Sequence, residues 1–363
     1  MSSEVDARWM REALGFARIA LYSATPNPRV GCAIVRDGRL IGQGWTQPYG
    51  GAHAEQHALA ACSEDPAGAT AYVTLEPCNH VGASGRPESC VASLVKARIG
   101  RVVVACEDPN PLVSGQSIAA LRASGITVDV GMAQADAREL NAGFISRMTR
   151  GRPWVRVKMA ASLDGRTALA DGTSQWITGP QARADGHRWR AQACAVLTGI
   201  GTVLQDDPQM TVRGIETPRQ PRRVIVDRHA QTPHDAKILH DDPVWIFTAD
   251  LPAVKFPSNV EAIVLPDAEG RVDLSAMMDD LGRRQINELH VEAGAKLTGV
   301  LLAQGLVDEL LLYFAPCLLG DNARGMFGFP ALPDLASRIA LDLGDWTRLG
   351  NDWRVRARVV PRG

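Results

Sequence analysis

Three side chains suited to holding a soft metal ion lie close along the chain. They are His53 in His53-Ala54-Glu55, Cys78 directly after Pro77, and Cys90 twelve positions later. One imidazole and two thiolates suit zinc, give it a nearly neutral shell, and leave a fourth position free. A water in that position loses a proton near neutral pH, which supplies a nucleophile for hydrolysis. Glu55 need not bind the metal. Two residues from His53, it can take a proton from that water and deliver it to a leaving amine. A purely structural site would want a fourth protein ligand, and His80 is the one obvious candidate. The other cysteines read differently. Cys32, Cys106, Cys194 and Cys317 lie in apolar runs and are expected as small buried hydrophobes, and Cys62 ends a helical pattern. Seven cysteines in 363 residues do not suggest a disulfide framework.

The elements that must position this set are legible around it. Trp9, Met10, Ala13, Leu14, Ala17, Ala20 and Leu21 recur at steps of three and four, the stripe of an amphipathic helix. Val30–Val35 and Leu40–Trp45 flank Asp37-Gly38, a hairpin signal. Residues 54–62 have helical spacing, 69–75 read as a strand, and 90–97 as a helix, so that Ala54 and Cys90 begin helices. A helix start carries partial positive charge, which favours thiolate over thiol. Strand 101–105, helix 118–123 and strand 126–130 follow. A hairpin followed by helix–strand alternation predicts a mixed sheet covered by helices on both faces.

The basic segment Arg147–Pro153, with Gly and Pro and no apolar period, reads as a linker. It divides the chain into domains 1–147 and 148–363. Beyond it, short apolar strands at 155–159, 196–198, 223–226, 244–247, 262–265, 289–292 and 310–314 alternate with helical patterns at 181–193, 274–284 and 297–304. The alternating residues 353–360 are expected to join the same sheet. Gly294 follows a strand and precedes a helical pattern, where free backbone N–H groups suit a phosphate, and Gly199-x-Gly201 after the strand at Val196 offers a second close backbone approach. No GxGxxG fingerprint is present, so spacing alone names no nicotinamide cofactor. Lys158, inside an apolar strand, is expected to face a site.

Composition limits the partners. With 45% hydrophobic and 22% charged residues, a disordered chain is excluded. Thirty-nine Lys and Arg against 40 Asp and Glu leave a net charge of -1, which argues against a general nucleic-acid binder. A small anion held by a few arginines is compatible with it. The first twenty residues do not read as a secretory signal, no run is apolar enough to span a bilayer, and the cytoplasm is the expected compartment.

Several motifs, in this order, resemble one family. They are Thr25-Pro26-Asn27-Pro28-Arg29-Val30-Gly31, His53-Ala54-Glu55, Tyr72–Cys78 (YVTLEPC) and Glu107-Asp108-Pro109-Asn110-Pro111 in the first half. Lys158–Arg166 (KMAASLDGR), Ser174-Gln175-Trp176-Ile177-Thr178, Asp206-Asp207-Pro208, Thr211-Val212-Arg213 and Val291-Glu292-Ala293-Gly294 follow. The family is that of bifunctional riboflavin-biosynthesis proteins, which join a diaminohydroxyphosphoribosylaminopyrimidine deaminase to a 5-amino-6-(5-phosphoribosylamino)uracil reductase. The resemblance implies an α/β protein, with an N-terminal cytidine-deaminase-like α/β/α domain and a C-terminal dihydrofolate-reductase-like α/β domain. It implies one Zn2+ on His53, Cys78 and Cys90, with Glu55 as proton shuttle. Asn27, His80 and Arg86 match deaminase substrate positions. Ser174, Arg190, Met210, Arg213 and Glu292 match reductase substrate positions. Ala160, Trp176, Thr202, Asp206, Arg228 and the run Gly294, Ala295, Lys296, Leu297, Thr298, Gly299 and Val300 match positions for NADPH. The implied partners are small ribosylaminopyrimidine phosphates, with no nucleic acid and no membrane, and the assembly a homo-oligomer.

Two departures from the family pattern stand out. The segment between Cys78 and Cys90 is three residues longer than usual and carries Pro87-Glu88-Ser89 where Thr-Pro-Pro is common. Thr46 stands where a histidine is frequent. A nucleic-acid deaminase is the main rival reading; the neutral charge and 5% aromatic content weigh against it, as do the reductase motifs. A non-catalytic zinc scaffold would have no use for Glu55.

Overall fold

The computed structural model describes residues 3–79, 88–110 and 114–361. The chain divides into two compact units, residues 1–151 and 152–363.

The first unit begins with α1 (Ser3–Ile19), followed by the hairpin β1 (Gly31–Arg36) and β2 (Arg39–Trp45). Then come α2 (Ala54–Ala60), β3 (Thr70–Val73), α3 (Cys90–Lys96), β4 (Arg101–Val104), α4 (Gln116–Ala123), β5 (Thr127–Val130), α5 (Gln134–Leu140) and α6 (Ala142–Arg150). The sheet order is β2-β1-β3-β4-β5. β1 is antiparallel to both β2 and β3, whereas β3, β4 and β5 run parallel. Two glycines show that helices cover both faces. A Cβ on Gly31 would lie 1.9 Å from Ala13 O of α1, and one on Gly44 would lie 2.3 Å from Ala54 O of α2. Gly31 pairs with Trp45, so Gly44 faces the opposite side of the pleat. The strands bury nearly continuous apolar runs, including Cys32, Ala33, Ile34, Tyr72, Val73, Val102 and Val103.

The second unit contains β6 (Trp154–Ser162), β7 (Arg166–Ala168), α7 (Pro180–Gln192), β8 (Ala195–Gly199), α8 (Ile200–Asp206), β9 (Arg222–Val226), β10 (Val244–Thr248) and β11 (Val260–Val264). It continues with α9 (Leu274–Arg283), β12 (Glu288–Val291), α10 (Ala295–Ala303), β13 (Glu309–Ala315), β14 (Arg324–Gly325), β15 (Leu341–Leu349) and β16 (Asp352–Val359). Nine strands form one sheet in the order β11-β10-β9-β8-β12-β6-β13-β16-β15. The first seven in that order are parallel, and β16 and β15 add antiparallel at one edge. Strand 353–360 thus joins the sheet through β13, as expected, and β15 extends the sheet by one more strand at that edge.

Two expectations are corrected. Arg147–Arg150 are not linker but the last turn of α6, which Gly151 ends in a left-handed conformation at φ 71°. Cys317 is exposed, because the apolar strand before it stops at Ala315; Cys32, Cys106 and Cys194 are buried. No helix among the described residues is long and apolar enough to cross a membrane.

Candidate active sites

In the first unit the helix starts and strand ends bring the metal set together. His53 is the N-cap of α2, Cys90 is the first residue of α3, and Cys78 lies in the segment following β3. Ser89 caps α3 by accepting the Ala92 N–H at 3.2 Å, which fixes where that helix begins. His53 Nδ1 lies 3.5 Å from Cys78 Sγ and 3.3 Å from Cys90 Sγ. Zinc–sulfur bonds of about 2.3 Å and zinc–nitrogen bonds of about 2.0 Å at a tetrahedral angle require separations of about 3.5 Å. The three side chains therefore fit one zinc ion, with Nδ1 the nitrogen that faces it. They are the one such cluster found among the described residues.

Electrostatics favours an anionic sulfur here. The Cys90 thiol and His53 hold Cys78 down to about 3 against the effect of burial, helped by the Cys90 N–H at 3.5 Å. Cys90, the donor in that pair, is pushed up. Glu55, in the first turn of α2, is only 3% exposed. Burial pushes its carboxyl above the ordinary range; His53 opposes the shift and Cys78 adds to it. A carboxyl so placed holds its proton nearer to neutral pH, as proton transfer to a leaving amine requires.

Asn27 lies half-buried in the loop before β1. β1 enters the sheet at the edge where β2 leaves toward His53 and β3 toward Cys78, so the loop and the metal set share that edge. His80 and Arg86 lie outside the described residues. Thr46 is buried, and its hydroxyl bonds to the backbone of residues 28 and 30.

The second unit holds a cleft of about 1100 Å³ at the carboxyl ends of its parallel strands. Ala160, Ser174, Trp176, Thr202, Asp206, Glu292, Gly294, Ala295, Lys296 and Leu297 all line it. Gly199 and Gly294 are the N-caps of α8 and α10, so both strand–glycine–helix junctions open into the cleft. Trp176 is 68% exposed, with Arg183 stacked 4.5 Å from its ring centroid. Burial pushes the Asp206 carboxyl up.

At the substrate end, Glu292 is gripped by Arg190, whose Nε and Nη2 lie 2.8 and 2.7 Å from Oε1, and by Lys158 at 3.9 Å. Burial works against its charge, but Arg190 and Lys158 outweigh it and hold the carboxyl well below the ordinary range. Arg190 also donates to Thr211 O, and the Arg213 N–H donates to His187 Nδ1. Burial and these two arginines push His187 down to about 4. Two cations around one anion leave a local positive excess, which suits a phosphate.

Some expected positions lie apart from the cleft wall. Arg190, buried Met210 at φ 55°, and exposed Arg213 are not among its lining residues, although Arg190 bonds to Glu292, which is. Arg228 is exposed at the end of β9 and Val300 is exposed on α10. Thr298 is buried, with its hydroxyl on Ala293 O. Gly299 admits the backbone of Gly328, whose carbonyl would lie 2.5 Å from a Cβ there. Sequence reasoning did not find Arg183 or Arg324, which line the cleft. Arg183 lies on α7, inside the predicted helical pattern 181–193, and Arg324 on the two-residue strand β14, so only the tertiary fold shows that both reach the cleft.

Fold and site together define a two-unit enzyme: a zinc-centred deaminase-type α/β/α unit, followed by a mixed-sheet unit with a ligand-sized cleft. Residues 3–106 match the cytidine and deoxycytidylate deaminase zinc-binding region, and residues 153–355 match the RibD C-terminal domain. Riboflavin biosynthesis protein RibD of Escherichia coli is 42% identical over 360 residues, covering 96% of this chain and 97% of that protein. A solved structure of Acinetobacter baumannii RibD is 41% identical with a TM-score of 0.90, covering 99% of this chain and 100% of that one. The Thermotoga maritima diaminohydroxyphosphoribosylaminopyrimidine deaminase/5-amino-6-(5-phosphoribosylamino)uracil reductase is 32% identical with a TM-score of 0.89, covering 99% of both chains. The chain belongs to the RibD family of bifunctional deaminase–reductases of riboflavin biosynthesis.

Proposed function

We propose that the first unit hydrolytically deaminates a diaminopyrimidine bearing a ribosylamine 5′-phosphate, and that the second reduces the ribosyl group of the product, 5-amino-6-(5-phosphoribosylamino)uracil, to a ribityl chain with NADPH. The convergence of His53, Cys78 and Cys90 beside buried Glu55 carries the first half of this reading. Zinc held there supplies Lewis-acid activation of the hydrolytic water. Glu55 takes a proton from that water and returns it to the amino group that leaves as ammonia. Asn27 holds the pyrimidine. His80 and Arg86 complete the substrate contacts in this reading.

In the second unit, the cleft lined by Gly199, Thr202 and Gly294–Leu297 would take the dinucleotide, with the backbone N–H groups at the starts of α8 and α10 facing its phosphates. The nicotinamide supplies the hydride. Ser174, Glu292 and Lys158 orient the ribosyl group, and Arg190 and Arg213 grip its phosphate. A homo-oligomer joined through this unit belongs to the same reading, and exposed Leu343 and Trp346 on the edge strand β15 support it. Glu55→Ala separates the two halves. It should stop ammonia release from the diaminopyrimidine while leaving NADPH oxidation with supplied deaminated substrate intact. Ammonia release at the wild-type rate would remove Glu55 from the proposed role.

A further inference from the structure

Asn27 lies in a loop, Thr25–Val30, that has no regular secondary structure to fix it. Three buried side chains from three elements hold the backbone around it. Just after β2, Thr46 Oγ1 donates to Pro28 O at 2.9 Å and accepts the Val30 N–H at 3.0 Å. Just after β3, Thr74 Oγ1 accepts the Gly31 N–H at 3.0 Å. Between α5 and α6, Asn141 acts as a substitute strand: its Oδ1 accepts the Arg29 N–H at 2.7 Å and its Nδ2 donates to Arg29 O at 2.9 Å. Arg29 adds a bond of its own, from Nη1 to Leu140 O at 3.1 Å. Thr46 and Asn141 are each 2% exposed and Thr74 is fully buried. Backbone groups in a loop must find partners wherever water is excluded, and here side chains supply them.

The placement matters because the same sheet edge carries the metal set. β2 runs on through Thr46 toward His53, and β3 runs on through Thr74 toward Cys78. The bonds therefore fix the loop relative to the zinc ligands rather than to a distant surface. Thr46 also stands where a histidine is frequent in the family. Its hydroxyl is engaged with Pro28 and Val30 instead of being offered to a substrate.

We propose that Thr46 and Asn141 are positioning residues of the deaminase reaction, which hold the Thr25–Val30 loop so that Asn27 meets the pyrimidine beside the metal. This rests on the reading of Asn27 as a substrate contact. Small displacements of a binding group cost rate or affinity steeply, so the effect should appear in substrate binding without loss of the metal.

The test uses the full-length, zinc-loaded protein and four variants. Thr46→Val keeps the shape and removes both bonds, whereas Thr46→Ser keeps them. Asn141→Asp keeps the acceptor for Arg29 N–H and loses the donor. Asn27→Ala serves as the reference. For Thr46→Val, the deaminase KM should rise about tenfold, as expected for a buried group left unpaired. Its zinc content and its reductase activity on supplied deaminated substrate should match wild type. Asn141→Asp should raise KM in the same direction, and Thr46→Ser should restore the wild-type value. Amide hydrogen exchange at Val30 should quicken in Thr46→Val and not in Thr46→Ser. If Asn27→Ala impairs deamination while Thr46→Val and Asn141→Asp keep wild-type KM, the proposal is overturned. Loss of zinc from Thr46→Val would also overturn it, by making Thr46 a support of the metal site. If Asn27→Ala leaves the kinetics unchanged, the substrate-contact reading itself fails, and the proposal with it.

Discussion

Replacing Glu55 with glutamine separates proton transfer from folding more cleanly than any other change in this molecule. The side chain is 3% exposed on the first turn of α2. The groups acting most on its carboxyl are His53, Cys78 and Cys90, with no lysine or arginine among them. Glutamine has the same shape and breaks no ion pair with a basic residue, so stability should change by no more than about 1 kcal/mol. It cannot carry the proton. General acid–base groups contribute roughly two to four factors of ten in rate, about 2.7–5.5 kcal/mol of barrier. The account therefore expects Glu55→Gln to lose roughly 10²- to 10⁴-fold in deaminase kcat. Bound zinc and the melting profile should stay at wild type. Ammonia release, metal content by atomic emission and thermal unfolding measure the three quantities on one preparation. Deamination within about threefold of wild type, with zinc fully retained, would refute the proton-shuttle argument, because no uncharged amide can substitute at that level.

Three further outcomes follow from the geometry. Gly31→Ala places a Cβ 1.9 Å from Ala13 O and 2.6 Å from Ala17 N, so the first unit should lose about 3 kcal/mol in urea unfolding, while the reductase activity persists. Arg190→Ala removes the close partner of Glu292 at 2.7 Å and leaves Lys158 at 3.9 Å and the buried His290 imidazole at 3.5 Å, so the reductase KM should rise, the second unit should lose about 3 kcal/mol, and ammonia release should be unaffected. Glu309 accepts from Arg156, Arg356 and Trp154; burial opposes its charge, but the arginines hold it down to about 2. Because the folded value lies below the ordinary one, this stabilisation is complete above about pH 4.5 and is lost as pH falls toward 2. It amounts to about 3 kcal/mol, and Glu309→Gln should flatten that limb of the acid-unfolding curve.

The metal set was readable from sequence because its chemistry needs few residue types, and those types sit where strands end and helices begin. The hairpin at Asp37-Gly38 and the stripe of α1 were readable because period and turn chemistry agree over many residues. Arg147–Arg150 misled because the apolar side of α6 is carried by residues before the basic run, such as Phe144 and Ile145. Only the left-handed Gly151 marks the true end. β15 was missed because it is an edge strand whose Leu341, Leu343 and Trp346 are exposed, so burial imposes no pattern on it. The roles of Thr46 and Asn141 have no local signal at all. They depend on backbone groups up to 112 residues away in the chain.

The most direct test of the two-unit account gives the zinc-loaded protein the diaminopyrimidine ribosylamine phosphate and NADPH together, and follows ammonia and the absorbance of the reduced nicotinamide in one cuvette. The account predicts one NADPH oxidised per ammonia released, with oxidation lagging behind release. NADPH consumed without ammonia, or ammonia released with no NADPH consumed, would contradict it.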